Sequence, residues 1–263
     1  MSKRIIKHLS TADLVMGGVI QAAGAYTLKA DIECSPFRAL ARAIAHQQLN
    51  GTAANTILTR FINTVGTIGE FPTPQQVLDA PEPTLRAAGF SFAKIASLRD
   101  LAAKTLEGVV PARDTLHALG NDEIIERLTQ VRGIGQWTVE MMLMFQLDRP
   151  DVLPVDDFGV RNGFRLAYGL RKMPAPKALA AFGERWSPYR TAAAWYLWRA
   201  VELHRAGTLP VPEEPTKLPR IRRARRAVKR LKKKVRAKRA NVRKRAVRAR
   251  PKRKRAARRA AKA

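Results

Sequence analysis

Residues 131–142 read VRGIGQWTVEMM, and residues 151–161, shortly after, read DVLPVDDFGVR. The first stretch sets two glycines, Gly133 and Gly135, directly before the apolar run QWTVEMMLMFQL, which suits a helix starting near Gln136. Ahead of it, NDEIIERLTQV (121–131) is amphipathic, takes Asn121 as its cap and runs to Gly133. The connection RGIG is then a tight hairpin between two helices. Its glycines allow φ > 0 and the close approach of a large partner, while Ile134 between them can pack into the core. The amides around Gly135 stand at a helix N-terminus, where unpaired N–H groups seat a phosphate. A G-x-G turn also suits plain helix capping, so its surroundings must decide.

Those surroundings are helical. TADLVMGGVIQAAG (11–24) brings Leu14, Val15, Val19, Ile20 and Ala23 onto one side and ends at Gly24. SPFRALARAIAHQQL (35–49) opens with Ser35 as N-cap and Pro36 as first helical residue. GTAANTILTRFINTVG (51–66), TPQQVLDA (73–80), EPTLRAAG (82–89) and SFAKIASLRDLAAKTLEG (91–108) follow. Strand-like alternation is nearly absent. The expected fold is all-α, with many short helices joined by Pro- and Gly-rich loops.

Charge divides the chain. Its 263 residues carry a net charge of +29, yet 26 of the 50 Lys and Arg residues lie from Lys217 onward, with no Asp or Glu among them. Residues 1–216 therefore hold a net charge of about +3. The expected organisation is a helical core over 1–205 with its hairpin at 131–137, a stiff Pro-rich linker over 206–219, and a Lys/Arg/Ala-rich tail over 220–263. Like-charge repulsion should keep that tail disordered until it meets a polyanion such as DNA. The single cysteine, Cys34, excludes an internal disulfide and Cys-based zinc or iron–sulfur sites, and fits a reducing compartment. No apolar run approaches a membrane span, and the N-terminus, lacking an extended apolar signal core, reads as the protein's own start.

The hairpin GIGQWTVEMMLM followed by DVLPVDDFGVR resembles the helix–hairpin–helix DNA glycosylase superfamily, and within it the 3-methyladenine DNA glycosylase II family. Gly133, Ile134, Gly135, Trp137, Thr138 and Val139 match the family's hairpin, and Asp156–Asp157 fall where it places its acidic residue. LARAIAHQQLNGTAA (40–54) resembles the helix and loop that push into the duplex, and RWSPYRTAAAWYLW (185–198) resembles the C-terminal helix. The resemblance spans about residues 12–205. Larger relatives carry a mixed α/β domain ahead of this core, for which residues 1–34 leave too little chain.

The resemblance implies a monofunctional DNA glycosylase that excises alkylated purines such as 3-methyladenine and 7-methylguanine from duplex DNA. Such an enzyme takes the base out of the stack. Breaking the N-glycosidic bond then develops positive charge on the sugar, which an adjacent carboxylate stabilises while orienting or deprotonating water. Of the pair Asp156–Asp157, one is expected to cap the next helix and the other to catalyse. Spacing from Gly133 favours Asp157, with Asp156 as the alternative. Members that also cut the backbone carry a lysine where Trp137 stands, and an indole cannot form their Schiff base. Trp137 and Trp198 are the candidate pocket walls, suited to an electron-poor ring. Met141 stands where some relatives place a second stacking aromatic. Gln48 and Leu49 are the candidate wedge, and Gly133, Ile134 and Gly135 the phosphate-binding hairpin, with Arg132 adding a charge nearby. His46 reads as a structural histidine with its hydrogen bonds satisfied.

No cofactor is required by this chemistry. By the same resemblance the carbonyls of Thr129, Val131 and Ile134 would hold a Na⁺, K⁺ or Mg²⁺ ion bridging to phosphate. The expected partner of this monomer is double-stranded DNA, with no membrane. The expected location is a bacterial cytoplasm, on the nucleoid, or a nucleus if the source is eukaryotic. The competing functions are a non-catalytic DNA-binding or compaction protein, and a glycosylase for another lesion such as uracil, mismatched thymine or 8-oxoguanine.

Overall fold

The computed structural model describes residues 2–67 and 69–218. The basic tail read as disordered and DNA-binding lies outside the described residues. Among the described residues there are α-helices and one short 3₁₀ turn and no strand, as the sequence predicts.

The chain opens with α1 (Ser2–Ala12) and α2 (Leu14–Ala23). Then come α3 (Pro36–His46), α4 (Gly51–Val65), α5 (Pro74–Asp79), α6 (Glu82–Ala88) and α7 (Phe92–Leu106). The short α8 (Arg113–Ala118) and α9 (Asn121–Leu128) lead to α10 (Gln136–Phe145). Last are α11 (Phe158–Ala167), α12 (Pro176–Gly183) and α13 (Arg190–Arg205).

Local chemistry accounts for most of these boundaries. Ser35 accepts the Arg38 N–H and Pro36 opens α3, as expected. Thr73 and Gln76 close a reciprocal capping box at α5. Two expectations shift. The helix expected over 11–24 is two helices, because Asp13 turns to an extended conformation and caps α2 with its side chain. Asn121 is the first residue of α9, and Gly120 is its N-cap. That helix ends at Leu128, well short of Gly133.

The helices pack in two groups. α11 lies along α13, and both meet α2, which packs on α1. Their core holds Phe164, Tyr168, Phe182 and Trp186 in ring contact. Buried Asp13 ties this group together, accepting from Tyr168 Oη at 2.7 Å and Trp186 Nε1 at 3.1 Å. The second group is α3 to α7, built around Phe61 edge-on to Phe71 and Phe90, and α10 joins it through α3. Residues 146–157 therefore cross from one group to the other, and they end at Asp157.

Residues 206–218, expected as a stiff linker, lie along the first group. Leu209 and Leu218 pack on the core, Pro210 lies over Gly18, and the Thr216 N–H donates to Tyr168 O at 3.0 Å. No helix among the described residues is long and apolar enough to cross a membrane.

Candidate active site

The hairpin is compact because only one of its glycines uses the left-handed region. Gly133 has φ 77°, and a Cβ there would stand 2.8 Å from Ser97 Oγ on α7. Position 133 thus needs glycine for both conformation and space. Gly135 departs from the expectation: it is extended, at φ −98°, and caps α10. Nothing lies within 4 Å of the place its Cβ would occupy, so its bareness opens a surface instead of relieving the fold. Ile134 between them is buried, as its position predicts. No side chain caps the first turn of α10, so its leading amides remain for an outside acceptor. Arg132 is exposed, and its amide donates to Asp100 Oδ2 at 2.7 Å, pinning the hairpin to α7.

Facing the hairpin is the turn between α3 and α4. Leu49 N–H returns to His46 O at 3.2 Å, with Gln47 at φ −54°, ψ 127° and Gln48 at φ 59°. This is a type II turn with glutamine where glycine is favoured. Holding it costs about 1 kcal/mol or more. The strain presents Gln48 and Leu49 at the tip, Leu49 being 41% exposed. The Gln47 amide donates to Gly133 O at 2.8 Å, so turn and hairpin are joined directly. Lys94 Nζ, donating to Ala45 O at 2.8 Å, fixes the same turn to α7.

Between these two loops a groove of about 640 Å³ runs down the face of α10 against α3. Trp137, Met141 and Phe145 line the α10 side, and Ala39, Ala43 and His46 line the other. The small alanines leave a slot opposite the aromatic wall. His46, expected to be a satisfied structural histidine, is half-buried in this lining. Phe145 was not identified from the sequence. Its place one turn beyond Met141, at the same helical spacing that separates Met141 from Trp137, was the available signal.

Asp157 stands where the two helix groups meet. Its Oδ2 accepts the Trp137 indole N–H at 2.9 Å from α10, and its Oδ1 accepts the Trp198 indole N–H at 2.9 Å from α13. Oδ1 also accepts the Val160 N–H at 2.7 Å, which makes Asp157 the N-cap of α11. The cap of α11 is thus the aspartate that spacing favours for catalysis, Asp157, and not its neighbour; Asp156 is exposed.

The two tryptophans occupy different places. Trp137 is 48% exposed and forms groove wall. Trp198 is half-buried and stacks on Phe145 from behind, with ring centroids 5.9 Å apart and planes 19° apart. Gly159 makes room for it, since a Cβ there would come within 2.9 Å of Trp198 Nε1 and 3.1 Å of Asp157 Oδ1. The result is a carboxylate fixed by three N–H donors beside an aromatic groove, at whose mouth the hairpin and the turn after α3 meet.

Among the described residues no group of three or more His, Cys, Asp or Glu stands where it could hold a metal ion. The carbonyls of Thr129, Val131 and Ile134 belong to the hairpin, and that of Val131 already accepts the Ile134 N–H at 3.0 Å.

A family model described as the HhH-GPD superfamily base excision DNA repair protein matches residues 41–188. The chain is 43% identical over 197 residues to DNA-3-methyladenine glycosylase 1 of Schizosaccharomyces pombe, covering 74% of this chain and 86% of that protein. Among solved structures it is similar to the S. pombe 3-methyladenine DNA glycosylase in complex with abasic DNA, at 42% identity and TM-score 0.69, covering 76% of this chain and 97% of that one. It is also similar to a DNA-3-methyladenine glycosidase from Bacillus halodurans, at 34% identity and TM-score 0.71, covering 78% and 94%.

Proposed function

The chain belongs to the HhH-GPD superfamily of base excision DNA repair proteins, and on that premise we propose that it is a monofunctional DNA glycosylase for alkylated purines in duplex DNA. The observation that carries this reading is Asp157, held by Trp137, Trp198 and its own helix beside the groove.

The elements work in order. The hairpin amides hold a phosphate, and Gln48 and Leu49 fill the stack that the extruded nucleotide vacates. The base enters the groove between the Ala39–Ala43 face and Trp137, Met141 and Phe145. Alkylation that leaves a purine cationic makes its ring a good stacking partner for indole and a good leaving group. Little proton donation is then needed. As the glycosidic bond lengthens, positive charge grows on the sugar, and the fixed Asp157 carboxylate stabilises it without reorganising. The same carboxylate orients the water that attacks the sugar. Trp137 offers no amine, so the sugar is not held as a Schiff base and the strand stays intact.

An ion bridging the carbonyls of Thr129, Val131 and Ile134 to the phosphate would supply further positive charge at the hairpin, and the second lone pair of the Val131 carbonyl suits such a role. The tail, with most of the net charge of the chain, acts as a tether that keeps the enzyme on DNA during its search. The direct test is incubation with methylated duplex DNA, scoring release of free 3-methyladenine and 7-methylguanine separately from nicking. Release without nicking supports the proposal, and nicking without added alkali contradicts it.

A further inference from the structure

The base groove holds a polar group that the proposed mechanism does not use. Helices α3 and α10 run antiparallel along it: the Gln47 amide donates to Gly133 O at 2.8 Å at one end, and the Asp31 N–H donates to Phe145 O at 2.7 Å at the other. His46, the last residue of α3, therefore stands at the end where Trp137 forms the opposite wall, while Ala39 stands towards Phe145. Trp137 bonds Asp157, so this is the end of the groove nearest the sugar. The polar side chains next to His46 are engaged or turned outward. Gln47 is held by Gly133, Gln48 is exposed at the tip of its turn, and Arg42, one turn back on α3, is exposed. The His46 imidazole is half-buried and lines the groove. Among the described residues no hydrogen bond, ion pair or ring contact engages it, and neither of its nitrogens is shut away from solvent. Its backbone is fixed, because His46 O accepts the Leu49 N–H at 3.2 Å and Lys94 Nζ holds the preceding carbonyl at 2.8 Å.

We infer that His46 is a specificity-determining residue: its imidazole donates a hydrogen bond to a ring nitrogen of the extruded purine and so reads which nitrogen carries the alkyl group. This role rests on the groove being the base site of the proposed function. The glycosidic bond leaves from N9, and the ring nitrogens nearest to it are N3 on one side and N7 on the other. 3-Methyladenine keeps the lone pair of N7 and loses that of N3, whereas 7-methylguanine keeps N3 and loses N7. A donor at the sugar end of the groove thus meets a lone pair in one lesion and a methyl group in the other. An imidazole offers an N–H in either protonation state. Where the methyl group faces it, that N–H gives up water and finds no acceptor, which is how a site built to hydrogen-bond one substrate rejects the analogue that lacks the partner. Stacking on Trp137 and Phe145 is blind to the distinction, since both alkylated rings are flat and cationic.

The test is single-turnover release of 3-methyladenine and of 7-methylguanine from one methylated duplex, with the full-length protein at saturating concentration. His46→Phe keeps a flat ring in the wall and removes the donor. It should change the ratio of the two rates about tenfold, while the thermal unfolding midpoint and the affinity for abasic duplex stay near wild type. His46→Ala serves if the phenylalanine variant is unstable. His46→Gln and His46→Asn carry an amide nitrogen to about where Nε2 and Nδ1 stand, and one of them should restore the ratio. An unchanged ratio in His46→Phe would overturn the inference, and so would failure of both amide variants to restore it. An equal fall in both rates with weaker binding to abasic DNA would also overturn it, making His46 a support of the wedge turn. The two claims fail separately: wild-type protein that releases neither base sinks the proposed function itself, whereas release of both at a ratio indifferent to position 46 sinks only the role of His46.

Discussion

Asp157→Asn separates the charge of this carboxylate from everything else the residue does. Asparagine is as good an N-cap as aspartate, so its carbonyl oxygen can still accept the Val160 N–H and the Trp198 indole, both of which bond Oδ1. The amide nitrogen must then face the Trp137 indole, which bonds Oδ2 at 2.9 Å. Two donors would oppose one another there. Trp137 is exposed enough to turn its N–H to water, so the stability cost is that of one hydrogen bond, about 1 kcal/mol. Base release loses much more. A preorganised electrostatic contact to a developing charge is worth about 3–4 kcal/mol, or roughly 10²–10³ in rate, and a full negative charge facing a sugar cation belongs at or above the top of that range. Urea denaturation should therefore show a near-native protein, and fluorescence anisotropy near-native binding to abasic DNA. Single-turnover release of 7-methylguanine should drop at least a thousandfold. Asp157→Ala should add loss of the cap, about 1 kcal/mol more in stability. Excision within tenfold of wild type in Asp157→Asn would refute the electrostatic argument, and loss of activity in Asp156→Asn alone would move the role to the exposed neighbour.

Gln48→Gly should raise stability by about 1 kcal/mol, because it removes a left-handed conformation from a side-chain-bearing residue. It should also slow excision from a normally paired lesion more than from a mismatched one, measured by single-turnover kinetics. Gly159→Ala should leave the helical circular dichroism spectrum intact but displace the Trp198 indole from Asp157, lowering excision by about tenfold or more; a fully active variant would show that the Trp198 bond is dispensable. Borohydride treatment during turnover should trap no protein–DNA adduct, and a trapped adduct would mean a lysine elsewhere forms the Schiff base that position 137 cannot. Removing residues 219–263 should flatten the log–log salt dependence of binding to undamaged DNA while single-turnover excision holds; equal slopes would refute the tether.

The hairpin, the aspartate and most helices were legible because each has a local cause. Gly133 must be glycine, Ser35 and Pro36 must start a helix, and Ile134 must go inward. The residues that escaped are those whose role is set by distant chain. Phe145 reads as one more apolar residue of a buried helix until Trp198, 53 positions on, stacks behind it. Glu140 reads as a polar interruption of QWTVEMMLMFQL, yet it is only 6% exposed and lines a cavity with Val152, Leu153 and Val155 from the chain beyond α10. Helix α1 carries its own signal in Ile5 and Leu9, one turn apart on its buried side, whereas Asp13, which divides it from α2, resembles an ordinary helix residue until Tyr168 and Trp186 reach it. That Asp157, the residue favoured for catalysis, is also the cap of α11 was hidden for a similar reason. Sequence shows two carboxylates at a helix start and suggests one task for each, whereas a carboxylate has two oxygens and four lone-pair sites.

That capacity also explains how a site without a covalent nucleophile stays ordered. In a lysine-dependent enzyme the reacting group is a flexible arm, and chemistry fixes its position at the moment of bond formation. On the proposed mechanism nothing bonds to the sugar, so the charge must already be in place. Asp157 achieves this by spanning three elements: α10 through Trp137, α11 through Val160, and α13 through Trp198. The two indoles approach from different helix groups, one exposed as groove wall and the other stacked behind Phe145. On the proposed mechanism a base pressing on Trp137 would press on the same assembly that holds the carboxylate, which would couple occupation of the groove to alignment of the charge. On that reading the indole at position 137 has a positional role where the lysine has a covalent one, since the same side chain lines the groove and bonds the carboxylate.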